Sequence, residues 1–185
     1  MQFQMRKQTK QKPITDFFKI ITNTTTTHNP NNISCFTDGS CIGNGSSNAK
    51  GGMAVVWPDH EEYNYSEPVF PATNNRCEYL AVIYAIRQAD IIDPSNTKTL
   101  TVFTDSMLLI NSVTKWLPGW KKNNWKKSDG KMVINLDLLK QLDELTKQRK
   151  VSFKHVKAHT GKDDWESINN NKVDILAQAA SRSIL

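Results

Sequence analysis

A chain of 185 residues with 38% apolar content has material for one globular domain with a buried core, plus a tail. No apolar run approaches the ~18 residues of a membrane span, and the N-terminus lacks the apolar stretch and small-residue cleavage site of a secretory signal, so a soluble intracellular protein, nuclear or cytoplasmic and without a membrane partner, is expected. The net charge of +6 and pI near 9.2 suit a polyanionic partner such as nucleic acid, and equally suit solubility through excess lysine.

In chain order, residues 1–32 are polar, basic and rich in threonine and asparagine, with a run from Thr24 to Thr27, and read as a disordered tail and linker. The folded domain, residues 33–185, opens with strands predicted at Ile33–Thr37, Gly52–Trp57 and Tyr63–Val69, and Pro58-Asp59-His60 marks the hairpin between the second and third. Over Asn75–Ala89, Leu80, Ile83, Tyr84 and Ile86 recur at helical spacing, and Pro94-Ser95-Asn96 closes that segment before a strand at Leu100–Thr104. A helix follows Asp105, then a stretch rich in tryptophan and lysine. Ile134–Lys147 reads as an amphipathic helix, Val151–Val156 as a strand, and Asn169–Ser183 as a last helix with Val173, Leu176, Ala177 and Ala180 on one face. An antiparallel meander followed by alternating helices and strands predicts an α/β fold, a five-stranded mixed sheet covered by helices on both faces. Cys35, Cys41 and Cys77 are odd in number and lack metal-ligand spacing, which reads as reduced thiols, with Cys35 a small buried strand residue.

Four acids fall where separate elements can bring them together: Asp38 at the end of the first strand, Glu78 in the first turn of the first long helix, Asp105 after the fourth strand and Asp174 inside the last helix. Asp38 and Asp105 become neighbours if their strands lie side by side and parallel, since ligands of open α/β sheets collect at strand ends. Acids gathered without basic partners call for cations, and hard oxygen donors select Mg²⁺ or Mn²⁺, the set needed for two-metal phosphoryl transfer. Each acid alone also fits a plain role. Asp38 before Gly39 can shape a turn, Asp105 before Ser106 can cap a helix, Asn75 and Glu78 have capping-box spacing, and Asp174 can border an apolar face.

The ordered series FTDGSC, TNNRCEYLA, FTDS, WLPGWKKNNWKK, VKAHTG and NNKVDILAQAA resembles type 1 ribonuclease H over about Ile33 to Ala180. The resemblance implies the ribonuclease H-like fold and cleavage of the RNA strand of RNA–DNA hybrids, leaving 5′-phosphate and 3′-hydroxyl ends, by a monomer. It also implies that Asp38, Glu78, Asp105 and Asp174 are the catalytic acids and hold two Mg²⁺ ions, for which Mn²⁺ can substitute. Asp38 would bridge both ions, with the small residues after it admitting the RNA backbone. His159 matches the family's loop histidine, assigned to proton transfer or to product and metal release, and Asn170, one helical turn before Asp174, can point into the site.

By the same resemblance, RNA hydroxyls are met by Cys41, Gly43 and Asn44 in the first loop and by Asn74, Asn75 and Glu78 at the helix start, although asparagines there also cap helices. On the DNA side a phosphate pocket maps to Thr73 and Asn135, while an arginine used by some members falls at Pro71. Trp116, Trp120 and Trp125, interleaved with Lys121, Lys122, Lys126 and Lys127, match the basic protrusion that grips DNA; a half-buried tryptophan seam is the plain alternative, with Trp120 in the core.

In the tail, Gln11, Ile14, Phe17 and Phe18 fit the pattern Gln-x-x-aliphatic-x-x-aromatic-aromatic, which resembles the box that binds PCNA-type sliding clamps. A single 3₁₀ turn would gather Ile14, Phe17 and Phe18 into an apolar plug. A basic, acid-poor, hydroxyl-rich tail also fits a mitochondrial presequence.

Overall fold

The structure, a computed structural model, describes residues 29–183. The clamp-type box at residues 11–18 and nearly all of the expected tail lie outside the described residues. Five strands, β1 (Asn32–Ile42), β2 (Lys50–Val56), β3 (Tyr65–Val69), β4 (Thr99–Thr104) and β5 (Val151–His155), form one sheet in the order β3-β2-β1-β4-β5. The meander pairs antiparallel; β1, β4 and β5 run parallel. The helices are α1 (Asn74–Ile92), α2 (Met107–Asn111), α3 (Leu117–Lys122), α4 (Leu136–Gln148) and α5 (Trp165–Arg182), with a π-helical turn at Ser112–Trp116 joining α2 to α3.

Strand alternation sorts the core between the two faces of the sheet. Cys35, Val55, Trp57, Leu100 and Val102 face α1 and α4, packing against Val82, Ile83, Ile86, Leu139 and Leu142. Phe36, Ala54, Val56, Phe103 and Val156 face α5, meeting Val173 and Ala177. On that side Phe36 stacks on Phe103 at 4.7 Å between ring centroids, and Trp165 meets both in T-shaped contacts. The mixed sheet with helices on both faces is the expected α/β fold. Among the described residues no helix is long and apolar enough to cross a membrane.

Two glycines set how closely the layers approach. A Cβ at Gly39 would lie 2.6 Å from the Cys77 carbonyl carbon and closer still to the Glu78 nitrogen, so the start of α1 rests directly on β1. A Cβ at Gly52 would collide with the Ala177 carbonyl oxygen and the Ser181 nitrogen, so α5 rests on β2 in the same way.

Several boundaries differ from the sequence reading. β1 continues to Ile42 because residues 37–42 keep their ladder with β2, which places Asp38 within the strand opposite Ala54 and not at its end. α1 is capped by Thr73, whose Oγ1 accepts from the Arg76 N–H, and not by an Asn75–Glu78 box; Glu78 is the fifth helical residue, just past the first turn. α5 starts at Trp165, four residues before the expected Asn169, behind an Asp164 cap that accepts from the Ser167 N–H.

Candidate catalytic centre and nucleic-acid surface

The parallel ladder of β1 and β4 ends at Phe36 opposite Phe103, and beyond it the two strands part. β1 runs on with β2 alone, while β4 stops at Thr104 and the chain turns away at Ser106, the cap of α2. Asp38 and Asp105 each lie two residues past that last pair, on the two sides of the parting. Ser106 takes the capping role, its Oγ accepting from Leu109 N–H, which leaves the Asp105 carboxylate free of it. Because Gly39 admits α1 against β1, Glu78 enters the same space from the opposite layer.

Asp38, Glu78 and Asp105 each offer a carboxylate oxygen within 4.8 Å of the others. Asp38 and Glu78 are buried and Asp105 is half-buried. Among the described residues no ion pair reaches these three, whereas Asp90, Asp93, Asp137 and Asp143 all have arginine or lysine partners. Burial, and next the Asp105 charge, push the Asp38 carboxyl up to about 8, against a smaller opposing bond from the Gly39 backbone. Burial likewise drives Glu78 well above the ordinary carboxylate range, with the Asp38 and Asp105 charges adding to it. Glu78 Oε2 is buried without a hydrogen-bond partner among the described residues. Convergent hard oxygens, one orphaned and none in an ion pair among the described residues, fit a divalent cation.

The sign of the Asp38 shift gives a pH dependence. A carboxyl raised in the folded state from 3.8 to about 8 contributes stability present below the lower value and lost as pH climbs through the upper one. In chelator, wild type and Asp38→Asn are expected to have the same acid-side melting temperature near pH 4, with the variant pulling ahead by a few kcal/mol by about pH 9. Paired thermal melts across that range check this; parallel curves would refute the cluster.

Asp174 stands outside the triad. It lies close enough to Asp38 to raise that carboxyl further, but its Oδ1 accepts from Gln178 Nε2 at 2.8 Å, and Gln178 Oε1 accepts in turn from Arg182 at 3.1 Å. Its Oδ2 lies 3.9 Å from His159 Nδ1. His159 is 73% exposed, at φ 50° in a loop where Gly161 is also left-handed. Asn170 is buried with Oδ1 unpartnered.

Around the centre, Cys41 lies in β1, Gly43 takes φ 67° in the turn that follows, and Asn44 Oδ1 accepts from the Asn74 N–H at 3.1 Å. That bond ties the β1–β2 turn to the start of α1, where Asn74 and Asn75 are exposed. Thr73 and Asn135 are linked through Arg76.

In the basic stretch, Trp116 is exposed and lies 5.7 Å from Trp120 between ring centroids. Trp120 and Trp125 are half-buried against the core, with Lys140 over the Trp125 ring. Lys121 is drawn onto Asp143 of α4 at 2.8 Å and Lys127 onto Asp129 at 3.2 Å, while Lys122 and Lys126 are exposed. Lys121 therefore braces the protrusion against α4.

Sequence reading missed Gly39 as the seat of Glu78, Gln178 as the partner of Asp174 and Arg76 as the link between helices. The spacing of Gln178 from Asp174, one helical turn, was a visible signal. Gly39 and Arg76 act across the fold and left none.

Comparison with known proteins gives concordant matches. A family model described as RNase H matches residues 30–182. Ribonuclease HI of Haemophilus influenzae is 42% identical over 132 residues, 71% of this chain and 81% of that one. Ribonuclease H1 of Mus musculus is 37% identical over 148 residues, 80% of this chain but 49% of that one, so this chain spans about half the length of that relative. The solution structure of the PFV RNase H domain superposes with a TM-score of 0.64 at 26% identity, covering 81% of this chain and 94% of that domain.

Proposed function

The chain belongs to the ribonuclease H family, and on that premise we propose that it is an endonuclease that hydrolyses the RNA strand of RNA–DNA hybrids, leaving 5′-phosphate and 3′-hydroxyl ends. The observation that carries this reading is the convergence of Asp38, Glu78 and Asp105, with a buried Glu78 oxygen that has no partner among the described residues. These three acids, with Asp174, are the groups that would hold two Mg²⁺ ions, Mn²⁺ substituting. Such ions supply activation of a water nucleophile and charge stabilisation at the leaving oxygen.

The chain's own residues do the rest. Asp38 sits between the layers, near Glu78, Asp105 and Asp174, and is the natural shared ligand. Gln178 holds one Asp174 oxygen and leaves the other free of it, 3.9 Å from His159 Nδ1. His159, on an exposed loop with Nδ1 toward Asp174, can carry a proton between Nε2 and solvent. Cys41, Gly43, Asn44, Asn74 and Asn75 form a polar shelf for RNA hydroxyls beside the acids, and Thr73, Asn135 and the Trp116–Lys127 stretch take the DNA strand. Cleavage of strand-labelled RNA–DNA hybrid, double-stranded RNA and double-stranded DNA, assayed side by side with Mg²⁺, tests the reading. Cutting confined to the RNA of the hybrid is expected; an uncut hybrid or a cut DNA duplex overturns it.

We also propose that the segment before β1, a strand that starts at Asn32 and not at the expected Ile33, is a tether separate from the catalytic domain, and that Gln11, Ile14, Phe17 and Phe18 bind a PCNA-type sliding clamp. A clamp would raise the enzyme's local concentration at replicating DNA, where primers and R-loops supply hybrids. Replacing Phe17 and Phe18 by alanine is expected to leave cleavage of short free hybrids unchanged and to abolish retention on immobilised clamp; retained clamp binding would refute it.

A further inference from the structure

Thr73 and Asn135 come from different helices and share one neighbour. The backbone N–H of Arg76 donates to Thr73 Oγ1 at 3.2 Å, and Arg76 Nη1 donates to Asn135 Oδ1 at 3.3 Å. The same guanidinium forks onto Asp137, Nη1 to Oδ1 at 3.1 Å and Nη2 to Oδ2 at 3.0 Å. Only 25% of the Arg76 side chain is exposed. One residue thus fixes the start of α1 against the start of α4.

The chemistry of that residue decides what the pair presents to a ligand. Arginine carries donors only, so any amide facing it must turn its oxygen inward. The Asn135 amide is therefore oriented without ambiguity, Oδ1 on Arg76 and the NH₂ group left over. Thr73 is treated alike: its oxygen accepts from Arg76 N–H, and the hydroxyl proton remains to be given elsewhere. Asn135 itself sits at φ 60°, ψ 35°, ahead of α4, and makes no capping bond with its side chain, so its amide is not consumed by its own helix. The Arg76 charge is meanwhile engaged by Asp137, and Pro71 brings none. The pair offers neutral donors, Asn135 directed by the guanidinium behind it and Thr73 by the backbone N–H of its own helix cap.

We propose that Arg76 is a positioning residue that sets the hydrogen-bond polarity of this pocket: its guanidinium turns the Asn135 amide into a donor for one phosphate of the DNA strand, beside the Thr73 hydroxyl that the helix cap orients. The proposal rests on the hybrid-nuclease reading. Replacing the Arg76 side chain keeps the backbone N–H and with it the Thr73 cap, but frees the Asn135 amide to flip, so the Asn135 side of the pocket loses its preference for an acceptor oxygen even where the fold persists.

The test uses the full chain carrying Asp38→Asn, so that hybrid is bound and not cut. Affinity is measured by fluorescence anisotropy for an RNA–DNA hybrid and for a series in which one DNA phosphate at a time is a neutral methylphosphonate. In this parent, one position is expected to weaken binding by about 10-fold, the scale of a charge-assisted hydrogen bond. Adding Arg76→Met is expected to reduce the penalty at that position to about threefold, Thr73 keeping its share, and to leave other positions as they were. Asn135→Asp supplies a second readout, because it keeps an oxygen for Arg76 but puts another where the NH₂ stood. It is expected to melt no lower than the parent yet bind hybrid more weakly than Asn135→Ala does. Asp137→Asn, which loosens the ion pair and spares the Asn135 contact, is expected to retain the position-specific penalty. An unchanged penalty in Arg76→Met, or Asn135→Asp binding as well as the parent, overturns the proposal. A parent that binds no hybrid overturns the hybrid-nuclease reading itself, and the proposal with it.

Discussion

Asp38→Asn is expected to lower Mg²⁺-dependent cleavage of a hybrid by more than about 10³-fold while leaving hybrid binding largely intact. The substitution preserves shape and the strand pairing with Ala54. What it removes is the negative charge nearest to the other acids, since Asp38 interacts with Glu78, Asp105 and Asp174. A cluster that needs cations to relieve its repulsion loses both that need and the shared ligand in one step. The same variant is expected to melt higher than wild type in chelator at alkaline pH. Loss of activity together with gained metal-free stability is the signature of a charged site; loss of both would mean damage to the fold. Retention of substantial cleavage would contradict the metal assignment.

Gly39→Ala is expected to be the most disruptive one-carbon change near the site. The added Cβ would meet backbone atoms of Cys77 and Glu78, which cannot rotate away, so α1 must lift from β1. Overpacking of this kind costs about 1–3 kcal/mol, occasionally more, and at roughly 2–4 °C per kcal/mol for a domain of this size the melting temperature falls accordingly. Lifting α1 also withdraws the Glu78 carboxylate from Asp38 and Asp105, so the stabilisation that Mg²⁺ gives to the fold should shrink together with cleavage. Gly119→Ala, in α3 where an added Cβ meets nothing within 4 Å, is the control and is expected to be neutral or slightly stabilising. Equal melting temperatures and equal Mg²⁺ response for Gly39→Ala and wild type would refute this account of how Glu78 is placed.

Gly39 also corrects the sequence reading of the segment after Asp38. Its small residues suggested room for an RNA backbone, yet at Gly39 the room is filled by α1. Asp-Gly is a strong turn signal, which is why a strand end was expected there. The ladder with β2 overrode that local preference and carried β1 five residues beyond Thr37, to Ile42. Near the other end of the chain, the Asp164 cap and the first turn of α5 were missed because Glu166 to Asn171 carry one large apolar residue, Ile168, and no amphipathic period. The π-helical turn at Ser112–Trp116 has no local signature at all.

The sequence by itself determined the kinds of elements and their order, the alternation of strand faces, and which acids were available, because these depend on residues a few places apart. Only the tertiary structure decided which acids meet. Asp38, Glu78 and Asp105 come together because the β1–β4 register parts just before them and because one missing side chain lets a helix approach. Asp174 is held by Gln178 outside their closest grouping, and Thr73 and Asn135 are matched by an arginine whose partner lies 59 residues away. Contacts at that separation follow from register and layer packing, which no local pattern encodes.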